Sequence, residues 1–126
     1  MGKGAVTLGI IVLTAGTVSA QKVENVQVLP FKEKKEISQF MKKKVAKSLG
    51  VKCKFCHNLK DYASDENPHK VVAREMMRMM LSINEQLTSI QQVAQEAGME
   101  HWDEPPKLDC WACHRGSTRP EYSAPE

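Results

Sequence analysis

The chain contains Cys53-Lys54-Phe55-Cys56-His57 and Cys110-Trp111-Ala112-Cys113-His114, two runs of the form C-x-x-C-H. This is the pattern by which a c-type haem is attached: both thiols add across the vinyl groups of one porphyrin, and the adjacent imidazole ligates its iron. Two thiols three positions apart on a helical turn span the two vinyls on one edge of the macrocycle. The His that follows is carried beneath the metal. Cys53, Cys56, Cys110 and Cys113 are therefore the candidate attachment residues for two covalently bound haem c groups, with His57 and His114 as candidate iron ligands.

Two other readings of the cysteines are weaker. Four thiolates from two C-x-x-C pairs could close a tetrahedral zinc shell, but the pairs begin 57 positions apart, longer than the usual ribbon spacing. Four cysteines in an exported chain could also pair as disulfides. Neither reading explains why both pairs are followed at once by His. With 4 His in 126 residues that coincidence has a chance of roughly 1 in 1000.

The elements that must position these motifs can be read from composition and periodicity. Residues 1–20 carry one positive charge at Lys3, an apolar stretch and the small-residue ending Val18-Ser19-Ala20, which reads as a secretory signal peptide cleaved before Gln21. An uncleaved N-terminal anchor is the alternative, although the apolar run is shorter than the roughly 20 residues that span a bilayer. Export suits the haem reading, because covalent attachment takes place outside the cytoplasm. The expected location is thus periplasmic or extracytoplasmic, with membrane association if the anchor is kept.

Residues 21–32 look extended, with Val23, Val26 and Val28 followed by Pro30 and no second strand candidate to pair with. A first helix is expected over 33–48, with Ile37, Phe40, Met41, Val45 and Leu49 at helical spacing and Gly50 as its stop. After a polar loop, Asn67-Pro68 signals the start of a long helix over 68–97, ended by Gly98. Val72, Met76, Met79, Ile83, Leu87 and Ile90 draw one apolar stripe along it. Residues 99–109 form a loop into the second motif, and the tail holds Pro120 and Pro125. The fold class expected is all-α: a small multihaem cytochrome with two helix-turn-CxxCH units in one dihaem domain over 33–126. With few aromatic residues to fill an interior, the two porphyrins would stand in for core.

Charge is divided along the chain. From 21 to 60 there are eleven Lys and three Glu, whereas from 61 to 126 there are six Lys or Arg and twelve Asp or Glu. Lys42, Lys43, Lys44, Lys47, Lys52 and Lys54 crowd the first motif. A solvated helix face is the plain reading. The functional one is a docking surface for an acidic redox partner, since weak electron-transfer complexes are steered by charge. Head-to-tail self-association of basic and acidic ends is a further expectation from the same asymmetry. Nucleic acid does not suit an exported chain whose other half is acidic.

The sequence resembles the cytochrome c subunit of photosynthetic reaction centres and its short relatives. The resemblance rests on Ser48-Leu49-Gly50-Val51-Lys52 before the first motif, Val71-Val72-Ala73-Arg74-Glu75-Met76 with Ile83-Asn84, and Arg115-Gly116 after the second motif. It implies a repeated unit of helix, turn and C-x-x-C-H, in which a Met on the helix reaches the iron opposite the motif's His. It places Met76 as ligand of the haem held by Cys110 and Cys113. For the first haem the implied position falls at or beside Lys42, and the nearest Met is Met41. One α-helical step is about 100°, so both cannot face the iron. Three arrangements stay open: Met41 ligates after a one-residue shift, His69 reaches in from the long helix, or there is no strong sixth ligand, Lys42 included. His101 reads as exposed.

The function expected is electron transfer between redox protein partners, without substrate chemistry and therefore not an enzyme. The alternative is a dihaem peroxidase-like enzyme with one five-coordinate iron.

Overall fold

The computed structural model describes residues 23–99 and 104–120. The expected signal segment over 1–20, His101 and Pro125 lie outside them. Among the described residues the chain is helical and forms no strand.

Lys34–Phe40, Met41–Ala46 and Lys47–Leu49 run on as one helix, α1, whose middle part is π-helical. The junction residues Phe40, Met41, Ala46 and Lys47 all keep right-handed helical angles, so nothing breaks the rod. Val45 and Ser48 face inward and the lysines face solvent. Gly50, at φ +67°, closes α1 with a left-handed residue. The chain then enters a single 3-10 turn at Cys53–Phe55.

The second helix, α2, is Pro68–Glu96, 29 residues and about 44 Å long. Asn67 caps it by accepting the His69 N–H at 3.0 Å, and Pro68 occupies the first turn, where no intrahelical donor is needed. The last helix, α3, is Cys110–His114, capped by the Asp109 carboxylate on the Trp111 N–H. The extended stretch over 23–32 lies along α2, not in a sheet. Arg74 donates to the Asn25 carbonyl at 3.1 Å and Arg78 to Gln27 Oε1 at 3.5 Å.

The face that α2 turns inward differs from the expected one. Lys70, Met77, Gln91 and Ala94 are buried, whereas Val72, Met76, Met79 and Ile90 of the anticipated stripe are 39–55% exposed. Polar anchoring decides this choice. Lys70, Arg74 and Asn84 lie on the inward rows and hydrogen-bond to the connecting segments, while nothing else in the described chain covers the apolar row. The resulting interior is thin. Val45, Met77 and Ala94 are its buried hydrophobic residues, and no described side chain is completely enclosed.

Candidate haem centres

All four cysteines are free thiols. Among the described residues no three His, Cys, Asp or Glu side chains converge as a metal-holding group, so the cysteines stand as two separate pairs and not as one tetrahedral thiolate shell. Burial pushes the Cys56 thiol up, and burial followed by the Asp109 carboxylate does the same for Cys110. Both are thereby kept as thiols, the form that adds S–H across a vinyl double bond.

Long-range hydrogen bonds hold each motif on α2. Asn67 Nδ2 donates to the Phe55 carbonyl, inside the first motif, at 3.0 Å. Asn84 forms a two-point amide clamp with residue 108: its Nδ2 donates to the Leu108 carbonyl at 2.9 Å and its Oδ1 accepts the Leu108 N–H at 2.8 Å. That clamp lies two residues ahead of Cys110. The motifs are also docked on each other's flanks. The Gly116 N–H donates to the Ser48 carbonyl at 2.8 Å, and Lys44 reaches Asp109 at 3.7 Å across the same contact.

The two histidines are prepared differently. In His114 the Nδ1–H donates to the Ser117 carbonyl at 2.9 Å, which fixes the tautomer and leaves Nε2 as the free electron pair. In His57 the Nδ1 is buried with no hydrogen-bond partner within range. The His57 ring packs 5.2 Å from that of Tyr62. Burial, then the charge of Lys70, hold His57 below the ordinary imidazole range, with the Tyr62 backbone opposing them. A neutral imidazole is the form that binds metal.

Beside Cys53 opens a cleft of about 460 Å³, walled by Lys42 and Ala46 of α1 and by Leu59 and Tyr62 of the following loop. Its volume lies within the 300–1,000 Å³ of ordinary cofactor sites. Met41 is half-buried one position before Lys42. His69 lines a second cleft that shares Val51, Lys52 and Lys54 with the first, its ring 4.3 Å from that of Phe55 and its Nδ1 3.2 Å from Asn67 Oδ1. Met76 and Met79 lie on the uncovered row of α2, whereas Met77 is consumed by packing. Paired thiols, a histidine with a free Nε2 and an uncovered apolar row fit covalently held haem.

Two features escaped the sequence. Nothing in the sequence marks Lys70, yet it is buried and donates to the carbonyls of Tyr62, Ala63 and Ser64. The π-helical run in α1 leaves no compositional trace. Asp65 shows how tightly this region is tied, because hydrogen bonds from Arg74, Asn25 and Lys70 hold its carboxyl well below the ordinary value of 3.8. The unfolded chain binds the proton more readily, so this contribution to stability is in place above pH 3.8 and is lost as pH falls below it. The gap in urea midpoint between the wild-type holoprotein and Asp65→Asn is therefore expected to stay constant down to about pH 5 and to narrow progressively as pH falls below 3.8. A gap constant with pH would show that the carboxylate is not what ties the loop.

The model of the family described as photosynthetic reaction centre cytochrome C subunit matches residues 9–124. A stretch of 60 residues is 43% identical to cytochrome c-554 of Chloroflexus aurantiacus, covering 48% of this chain and 14% of that protein. The matched stretch is thus a small part of that relative's length.

Proposed function

The chain belongs to the photosynthetic reaction centre cytochrome c subunit family, and from that premise we propose that it transfers electrons as a c-type cytochrome with two covalent haems, one at each C-x-x-C-H motif. Cys53, Cys56 and His57 hold the first haem; Cys110, Cys113 and His114 hold the second. The haem supplies the one-electron couple. The chain's residues attach it, ligate its iron and keep water from its faces. The observation that carries this reading is the uncovered row Val72, Met76, Met79 and Ile90, which runs along the helix that holds both motifs.

Met76 is the proposed sixth ligand of the second haem. At the first haem the π-helical run favours Met41. A π turn accommodates one extra residue, so Met41 moves towards the angular position that residue 42 would take in an uninterrupted α-helix. Lys42 lines the same cleft and is exposed. His69 is engaged with Phe55 and Asn67 beside the other cleft.

The exposed lysines around the first motif suit an acidic redox partner. The N-terminal segment suits export to the periplasm, with anchoring if it is retained. Among the described residues no helix is long and apolar enough to cross a membrane. A dihaem peroxidase has no comparable support, for neither cleft is lined by an Arg, and the His that lines one of them is engaged.

Substitution of Met76 tests the ligand assignment. Met76→Ala is expected to remove the methionine-to-iron charge-transfer absorption of one haem and to lower that haem's potential, because a thioether ligand favours reduced iron. Met41→Ala should do the same to the other. Loss of the band in Met79→Ala with Met76→Ala unaffected would move the ligand to the next turn of the same row.

A further inference from the structure

Lys70 is 8% exposed and has an unusual set of partners. Its ammonium donates to the carbonyls of Tyr62, Ala63 and Ser64 at 2.9, 2.9 and 2.7 Å. Asp65 Oδ1 lies 3.0 Å away as the counter-charge and is shared with Arg74 at 2.9 Å. Two cations thus face one anion. Their side chains are 9% and 11% exposed, whereas the Asp65 side chain is 41% exposed and better screened by water. The cluster therefore presents a net positive field to its surroundings.

Tyr62 connects the cluster to His57. Tyr62, whose carbonyl Lys70 holds, packs its ring against the His57 ring.

We propose that Lys70 is a positioning residue for the first haem, locking the loop over 62–65 against His57 and holding a fixed positive charge there that raises the haem's reduction potential. This rests on the haem reading of Cys53, Cys56 and His57. With a haem held there, one electron taken from a redox protein partner would remove one positive charge from the iron site, so a neighbouring cation would favour the reduced state. The first haem is accordingly the one on which this buried cluster acts, and the second has no counterpart among the described residues.

Optical redox titration of the holoprotein tests this with two substitutions that break the same ion pair from opposite sides. Lys70→Met should lower the reduced-to-oxidised ratio of one haem at fixed ambient potential by about tenfold, or 59 mV for a one-electron couple. Asp65→Asn, at an exposed position, should move the same haem the other way by about twofold. Lys70→Arg should restore the wild-type direction. Loss of loop positioning alone would shift Lys70→Met and Asp65→Asn in the same sense, and that result, or no shift in either, overturns the proposal. A pyridine haemochrome count on the wild-type protein keeps the two failures apart: fewer than two haems per chain refutes the reading beneath, whereas two haems with unmoved potentials refutes this inference alone.

Discussion

Cys110→Ala or Cys53→Ala is expected to cost most of one haem and much of the folded protein with it. The reason lies in how little apolar surface the chain buries by itself: Val45, Met77 and Ala94 are the buried hydrophobic residues among those described, and no side chain is fully enclosed. Val72, Met76, Met79 and Ile90 each leave 39–55% of their surface open. Covering such half-exposed side chains contributes about 1 kcal/mol each. Four of them amount to about 4 kcal/mol, a large share of the roughly 5–15 kcal/mol by which a small domain is stable. The same accounting makes the apoprotein, produced without covalent attachment, largely unfolded. Intact mass and haem staining count the porphyrins, and far-UV circular dichroism reads the helices. A Cys110→Ala protein that lacks one haem and keeps wild-type helix content and melting temperature would show that the porphyrin is not core.

The second large effect is expected at Gly50, where no haem chemistry is touched. A Cβ there would lie 2.2 Å from the Gly116 carbonyl oxygen, a backbone atom that cannot swing aside. The residue also has φ +67°, which costs a non-glycine about 1–2 kcal/mol. Gly50→Ala must therefore push α1 away from the turn after α3 and stretch the bond from the Gly116 N–H to the Ser48 carbonyl. A loss of about 3 kcal/mol corresponds to a fall in Tm of about 12 °C or more for a domain of this size. Gly98→Ala is the control. Its φ is +75° with nothing within 4 Å of the added Cβ, so it bears the backbone strain without the collision. Equal melting temperatures for the two variants, both with full haem content, would mean that the close approach of the two motifs' flanks does not matter to the fold.

The tie between these flanks bears on electron transfer as well. Gly50 lies three residues before Cys53 and Gly116 two residues after His114, so their contact sets how the flanks of the two C-x-x-C-H motifs meet. Neither glycine's neighbour is near it in sequence. Such a contact is invisible to any local pattern.

What the sequence determined by itself was whatever depends on a few neighbouring residues. The C-x-x-C-H spacing specifies the attachment chemistry because thiols and imidazole must meet one porphyrin edge and its iron. The start of α2 at Asn67-Pro68 and the stops at Gly50 and Gly98 were legible because capping hydrogen bonds and left-handed angles are local matters. The tertiary structure alone decided which row of α2 turns inward, since two adjacent rows both had residues fit for burial. Lys70, Arg74 and Asn84 settled it by finding carbonyls and a carboxylate 6 to 49 residues away. It also decided that Lys70 is buried and that α1 is π-helical beside Met41. In each case the local alternatives differ by little in energy, and partners distant in sequence tip the balance.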